Sequence, residues 1–146
     1  MLFSGLAELQ GRIEDEGLDA TTELAKENIP ETLGCLMCAL EGDLNSESAR
    51  RWGAFAVIFE TLVIGTSGCS SFTLMHAEGE TVALDYVVPE PRAKLHAPLR
   101  EMLYICAGTQ RDSSIYRGRI LQWQGLGVIH ATGDQMLVQA LQGMFV

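Results

Sequence analysis

The residues best suited to acid–base chemistry in this sequence are a carboxylate and an imidazole that lie in two separate apolar stretches. Asp85 interrupts the run "ETVALDYVV" at residues 80–88, and His130 ends the run "GLGVIH" at residues 125–130. A carboxylate that is removed from water has a raised pKa and can act as a general base. Imidazole titrates near neutral pH and can carry the proton onward. Asp85 and His130 therefore form the candidate catalytic pair.

The orientation of Asp85 depends on the strand that is expected to carry it. Successive side chains of a strand point to opposite faces, so Asp85 lies on the same face as the smaller residues Thr81 and Ala83. The opposite, bulkier face is the natural core face, and this would leave Asp85 on the outer surface. In a cone-shaped fold the smaller face would instead line a cavity, and Asp85 would point inward. Both orientations are open at this point; the bulkier face carries Val82, Leu84 and Val88.

The two remaining histidines, His76 and His96, are also possible acid–base groups. His76 precedes the turn "AEG" and is interpreted as a surface residue beside that turn. His96, Arg100 and Tyr104 follow one another at intervals of four residues, which is the spacing of one stripe on a helix. Such a helix could lie across a cavity as a lid, or the stripe could be its solvated polar face.

Only one pair of cysteines has a spacing that is typical of metal ligands. Cys35 and Cys38 have the CxxC spacing, but no second CxxC and no HxxxH pattern follows, so no metal site is predicted. The four cysteines are interpreted as buried thiols of a reducing compartment. The sequence contains no P-loop, GxSxG or HExxH motif, and no cofactor is predicted.

Composition argues against several classes of protein. The chain has 146 residues, of which 47% are hydrophobic and 20% charged, and this suits one domain with a well-filled core. A net charge of −9 with scattered basic residues argues against nucleic acid as a partner. The sequence starts without a basic leader, and no apolar run reaches the roughly 20 residues of a membrane helix. A cytoplasmic protein without a membrane partner is therefore predicted.

The spacing of apolar residues changes along the chain from that of helices to that of strands. The clearest helix is predicted over residues 46–63, where Trp52, Phe55 and Phe59 begin an apolar stripe. Residues 69–88 alternate on both sides of the "AEG" turn and predict a hairpin.

Beyond the hairpin, residues 93–107 resume helical spacing within an insertion at about 89–114. A long strand is predicted over residues 114–131 and a last strand over 135–146. Helices followed by an antiparallel sheet indicate the α+β class. The predicted architecture is a single domain over residues 1–146, with N-terminal helices packed in a curved antiparallel sheet that forms a cone with an internal pocket.

Three successive stretches resemble the SnoaL-like and limonene-epoxide-hydrolase-like members of the nuclear transport factor 2 superfamily: "SARRWGAFAVIFETL", "FTLMHAEGETVALDYVV" and "GRILQWQGLGVIHATGDQMLVQAL". The resemblance covers about residues 46–88 and 115–146. It implies a cone around an apolar pocket and cofactor-free acid–base chemistry on a small apolar molecule. Epoxide hydrolysis is not implied, because Tyr86 and Val88 occupy the positions of that family's Arg-x-Asp pair.

A second, weaker resemblance is to the glycine-rich strand region of γ-glutamyltranspeptidases. It is carried by "SGCSSFTLMHAEGETVALDYVVPEP". Val87 and Val88 stand where that family has an Arg-Glu pair that contacts the substrate, and the chain is too short to include that family's second subunit.

The SnoaL-like resemblance implies an isomerase, cyclase or dehydratase that acts on a small apolar molecule in natural-product biosynthesis, with Asp85 and His130 as its acid–base groups. Several glutamines on the predicted strands suit a wet homodimer interface. The alternative is a non-catalytic module that binds a small ligand or dimerises, since such a module needs only apolar walls. The predicted substrate contacts are Tyr86, Tyr104, Tyr116 and Trp123.

Overall fold

The computed structural model describes residues 5–44, 46–65, 69–108 and 113–144. In these ranges the chain forms seven helices and a five-stranded mixed sheet, which confirms the predicted α+β class. None of the described helices is both long enough and apolar enough to span a bilayer. The helices are α1 (Leu6–Glu16), α2 (Leu18–Lys26), α3 (Ile29–Asp43), α4 (Ser46–Arg50), α5 (Leu99–Ala107), α6 (Ser114–Gly125) and α7 (Gln135–Met144). The strands are β1 (Phe55–Leu62), β2 (Cys69–Ala77), β3 (Glu80–Leu84), β4 (Ala93–Pro98) and β5 (His130–Gly133).

The sheet has the strand order β3-β2-β1-β4-β5, so that β1 lies at its centre. β1 pairs antiparallel with β2 and parallel with β4, while β2–β3 and β4–β5 are antiparallel pairs. The parallel pair departs from the antiparallel sheet that the sequence predicted. Parallel neighbours need a long connection. Here the chain between β1 and β4 passes through the β2–β3 hairpin before it returns to the other side of β1.

β1 occupies the second half of the segment 46–63, which was predicted to be one helix. α4 ends at Arg50, and Gly53, with a φ of 67°, lies in the turn before β1. Ile58 and Phe59 are adjacent and point to opposite faces, yet they are only 4% and 1% exposed. The outward face of β1 carries the apolar residues Ala56, Ile58 and Leu62, so apolar residues lie on both faces and alternate little with polar ones. Its continuous apolar run fits a helical stripe equally well, and the helix prediction was wrong for this reason.

Other segments also differ from their prediction. Residues 93–107, predicted to be helical with Pro98 as an obstacle to the first turn, form β4 followed by α5, with Pro98 as the N-cap of the helix. Residues 114–125 and 135–144, predicted as strands, form α6 and α7, and only the short β5 lies between them. The buried side chains of α7 recur at the spacing of a helix: Leu137, Val138, Leu141 and Met144. Residues 109–112 of the predicted insertion and 145–146 of the predicted last strand lie outside the described ranges.

The β2–β3 hairpin was predicted correctly, and its turn explains why. The two residues between the strands, Glu78 and Gly79, have φ values of 55° and 79°. Positive φ at both central residues is the type I′ geometry, whose twist matches that of the strands on either side. Glycine tolerates this geometry without strain.

The smaller face of β3 is the one that faces the core. Ala83 pairs with Leu74, which is 0% exposed, whereas Val82 on the other face is 45% exposed. α3 packs against β2 and β3, and small side chains on β3 allow this approach. Of the two orientations that the sequence left open, the structure has the one in which the smaller face points inward. Asp85 lies beyond the end of β3 and is exposed.

The helices pack over the sheet face that carries Phe59 and Phe72. These two rings stack with centroids 5.2 Å apart and an angle of 8° between their planes. The apolar core extends from this pair to the buried faces of α3, α5 and α7. Its largest fully buried side chains are Tyr116, Phe59, Phe72, Leu9, Leu36, Leu40, Leu74, Leu99, Met102, Leu103 and Leu137.

His76 belongs to this core, and its interpretation as a surface residue was wrong. It is 1% exposed, and its ring stacks on Phe55 with centroids 5.4 Å apart. Its Nδ1 lies 2.8 Å from the hydroxyl oxygen of Thr81, the residue opposite it in the hairpin. Burial and then the charge of Arg50 lower the pKa of His76 below its usual value.

The assignment of sheet faces predicts a large loss of stability on substitution of one valine and a small change on substitution of another. Val57→Ala removes methyl groups from a side chain that is 0% exposed and should reduce the free energy of unfolding by about 1.5–3 kcal/mol. Val82→Ala removes the same atoms from a side chain that is 45% exposed and should change it by less than about 1 kcal/mol. Urea denaturation of both variants measures the difference. Equal losses would contradict the described faces.

The environment of His76 predicts a loss of stability in weak acid. The unfolded chain has a histidine pKa of about 6.5, whereas that of the folded chain is lower, so the unfolded state binds more protons between these values. Stability should therefore be complete above about pH 6.5 and should fall as the pH decreases below it. The charged groups that line the same pocket are Arg50 from α4 and Glu78 from the turn.

Urea denaturation at about pH 7 and pH 5 tests this expectation in three proteins. His76→Gln should show a smaller loss between the two pH values than the wild type. His130→Gln changes an exposed histidine and should behave as the wild type does. The same loss in His76→Gln and the wild type would show that His76 does not cause it.

Candidate functional site

A small apolar cavity lies between the core face of the sheet and three helices. Phe59 of β1 and Leu95 of β4 form its floor, and side chains from α5, α6 and α7 form its walls. Its volume is about 20 Å³, which is enough for about one water molecule. The residues that line it are Phe59, Leu95, Ile105, Tyr116, Ile120, Gln124, Val138 and Leu141.

α6 is the wall with the fewest buried side chains. Two of its twelve residues are buried, Tyr116 and Ile120, whereas seven of the nine residues of α5 are buried. Ile115 and Leu121 on α6 are 72% and 52% exposed. The helix begins at a cap in which the Ser113 hydroxyl accepts a hydrogen bond of 3.1 Å from the backbone N–H of Tyr116. α6 is therefore well formed as a helix but is attached to the core by few side chains.

Three of the sequence-predicted site residues meet at this wall. The rings of Tyr104 and Tyr116 stack with centroids 5.1 Å apart, and the Trp123 ring meets Tyr104 edge-on at 5.2 Å. The Tyr116 hydroxyl donates a hydrogen bond to the backbone carbonyl of Ile105. The guanidinium carbon of Arg119 lies 5.1 Å from the centre of the Tyr104 ring. This aromatic cluster of Tyr104, Tyr116 and Trp123 joins α5 to α6 beside the cavity.

The structure does not bring the predicted catalytic pair together. Asp85 follows β3 at one edge of the sheet, and His130 begins β5 at the other edge. Four strand spacings of about 4.8 Å separate the two edges by about 19 Å. Tyr86 is 57% exposed, and its backbone carbonyl accepts a hydrogen bond of 2.7 Å from the Thr73 hydroxyl. None of these three predicted residues lines the cavity.

Asp85 lies instead at an open groove between α3 and β2. The groove has a volume of about 480 Å³, and its walls are formed by residues such as Leu33, Met37 and Ser71. Asp85 is exposed at this groove and does not line the apolar cavity.

Sequence reasoning missed most of the residues that line the cavity. Phe59 had been placed on a helix and Leu95 on another, so their common position on neighbouring strands was not foreseen. Val138 and Leu141 were assigned to a strand. Their separation of three residues, next to Leu137, is a helical signal that was present in the sequence.

No model of a protein family and no curated protein matches this chain. Solved structures do match. The chain resembles the UbiJ-SCP2 ubiquinone synthesis protein with a TM-score of 0.55 and 17% identity, over 79% of this chain and 88% of that chain. It resembles sterol carrier protein 2 like 2 from Aedes aegypti with a TM-score of 0.56 and 14% identity, over 81% of this chain and 100% of that chain. It also resembles sterol carrier protein 2 from Yarrowia lipolytica, apo form, with a TM-score of 0.54 and 14% identity, over 75% of this chain and 86% of that chain.

These similarities correct the sequence-based recognition. The SnoaL-like resemblance was wrong, as was the weaker one to γ-glutamyltranspeptidases, because these three structures are of the sterol carrier protein 2 type. The predicted isomerase, cyclase or dehydratase function depended on the SnoaL-like resemblance and is overturned with it. At identities below 20% the similarity establishes the fold: this chain has the fold of sterol carrier protein 2.

Proposed function

We propose that this protein binds a small lipid-like molecule in the cavity between the sheet and helices α5, α6 and α7, without catalysing a reaction on it. The observation that carries the proposal is the cavity itself, whose lining is almost entirely apolar. Apolar walls with few polar groups are typical of sites for hydrophobic ligands. The fold supports the same conclusion, since two of the matching structures are sterol carrier proteins.

Ligand entry requires the cavity to enlarge. Its volume is about 20 Å³, whereas sites for small molecules usually occupy roughly 300–1,000 Å³. α6 is the wall most easily displaced, because only Tyr116 and Ile120 of this helix are buried. Exposing two such side chains costs about 3–6 kcal/mol. Burying an alkyl chain of about fourteen methylenes regains about 11 kcal/mol, which exceeds that cost.

The lining also indicates what polar group the ligand carries. Gln124 contributes the one side-chain amide among the described residues of the cavity wall. The hydroxyl of Tyr116 is already bonded to the carbonyl of Ile105. A ligand with a single hydroxyl or carboxyl group at one end would place that group at Gln124 and its apolar part against Phe59 and Leu95.

The proposed site includes some of the sequence-predicted residues and leaves others out. Tyr116 contacts the ligand, and Tyr104 and Trp123 support it through the aromatic cluster. Asp85, His130 and Tyr86 have no part in this site. The predicted homodimer and cytoplasmic location stay predictions.

Binding of a fluorescent lipid tests the proposal. cis-Parinaric acid and dehydroergosterol gain fluorescence when they leave water, and the wild-type chain should bind at least one of them saturably at one per chain. Val138→Phe places extra volume in the cavity and should weaken this binding by at least about tenfold, because overpacking such a site costs about 1–3 kcal/mol.

Val82→Phe provides the matched control, since it makes the same substitution at an exposed position of β3. It should bind the probe as the wild type does. Circular dichroism verifies that both variants are folded. If the folded wild type binds neither probe, or if Val82→Phe weakens binding as much as Val138→Phe, the cavity is not the ligand site.

The role of Gln124 predicts a change in ligand preference. Gln124→Leu removes the amide and should weaken binding of a probe with a carboxyl or hydroxyl group by about three- to tenfold, the equivalent of one hydrogen bond. Binding of a hydrocarbon probe without polar groups, such as diphenylhexatriene, should change by less than about twofold. Competition measurements with both probes separate the two effects. Equal losses for both probes would show that Gln124 acts only through packing.

A further inference from the structure

The outward face of the sheet carries a cluster of three side chains that could bind a metal ion. Glu60 lies on β1, Cys69 at the start of β2 and His96 on β4. In β1 and β4 these residues alternate with Phe59 and Leu95, which face the core and line the cavity. The cluster therefore lies on the opposite side of the sheet from the lipid site.

Strand register brings the three side chains together. Glu60 and His96 are direct partners in the parallel β1–β4 pair, and Cys69 pairs with Leu62, two residues beyond Glu60 on the same face. The Nδ1 atom of His96 lies 2.8 Å from the Oε1 atom of Glu60. One ligand atom from each of the three residues lies within 4.8 Å of the other two. Ligand atoms around a tetrahedral zinc ion are about 3.3–3.8 Å apart, so small side-chain rotations suffice to surround an ion.

The types of donor atom determine which ion fits. Thiolate, imidazole and carboxylate together suit a borderline-soft ion such as Zn²⁺, whereas Mg²⁺ and Ca²⁺ prefer oxygen ligands. All three residues are accessible: Glu60 and His96 are partly exposed, and Cys69 is exposed. We propose that Glu60, Cys69 and His96 form a binding site for one Zn²⁺-class ion on the outward face of the sheet, with solvent as a further ligand.

Two residues lie next to this site. The Nζ atom of Lys94 lies 3.0 Å from the Oε2 atom of Glu60 and competes with a cation for that carboxylate. His130 on β5 is the direct partner of His96, and the centres of the two rings are 6.2 Å apart. His130 therefore lies beside His96 on the same face of the sheet.

Cobalt provides a spectroscopic probe of the site. The chain of residues 1–146, freed of metals with a chelator, is titrated with Co²⁺. A thiolate ligand gives a near-ultraviolet charge-transfer band, which should saturate at one Co²⁺ per chain and disappear when Zn²⁺ is added. Cys69→Ser should abolish the band, and His96→Ala should weaken Co²⁺ binding by at least about tenfold, since even outer residues of metal sites contribute about that much.

Cys38→Ser is the matched control, because Cys38 is the other exposed cysteine. It should leave the band unchanged. Lys94→Met removes the competing cation and should tighten Co²⁺ binding. No band in the wild type, or the same loss of the band in Cys38→Ser as in Cys69→Ser, would overturn the proposal.

Thiol labelling tests the same site without substituting any ligand. Cys38 and Cys69 are exposed, while Cys35 and Cys106 are buried, so a thiol reagent should modify two cysteines of the metal-free folded chain. Zn²⁺ should protect Cys69 and leave Cys38 reactive. Peptide mass spectrometry identifies the protected residue, and unchanged labelling of Cys69 at saturating Zn²⁺ would contradict the proposal.

Discussion

The register of the central strand β1 is the constraint on which both sites depend. β1 bonds antiparallel to β2 on one side and parallel to β4 on the other, so its position is fixed from both edges. A shift of one residue along a strand moves every side chain to the opposite face. Such a shift would bring Glu60 into the cavity in place of Phe59 and would destroy the cavity and the outward cluster together. The stacking of Phe59 on Phe72 at 5.2 Å stabilises the observed register.

The cavity combines a rigid wall with a wall that can be displaced. The sheet wall is held by backbone hydrogen bonds between β1 and its neighbours, and α5 is anchored by seven buried side chains. α6 is anchored by Tyr116 and Ile120 together with the aromatic cluster. Exposing these two side chains costs a few kcal/mol, and separating Tyr104 from Tyr116 and Trp123 adds about 0.5–1.5 kcal/mol for each pair; burial of a long alkyl chain offsets both. A closed cavity of about 20 Å³ is therefore compatible with a binding function, since the free state need not hold an open pocket.

The sequence predicts those parts of the structure whose residue pattern depends only on local structure, and it misses those that depend on the packing of distant segments. The hairpin was predicted because Gly79 and the alternation around it are local signals. β1 was not, because apolar residues lie on both of its faces and its apolar run therefore shows no alternation. Asp85 attracted attention as a lone carboxylate in such a run, yet it lies just past the end of β3, where the exact limit of a strand decides its environment. The cluster of Glu60, Cys69 and His96 requires the parallel β1–β4 register, which no local pattern specifies.

The two proposed sites share strands β1 and β4 but depend on different movements of the protein. A metal ion that joins Glu60 to His96 restrains β1 relative to β4, and these strands are already fixed by their backbone hydrogen bonds. Ligand entry is proposed to depend on α6, which contributes no residue to the outward cluster. One ligand changes the affinity for a second ligand only if both bind with different affinities to the same two conformations of the protein. We therefore expect Zn²⁺ and lipid to bind independently; strong coupling between them would mean that the sheet itself, rather than α6, moves when the cavity opens.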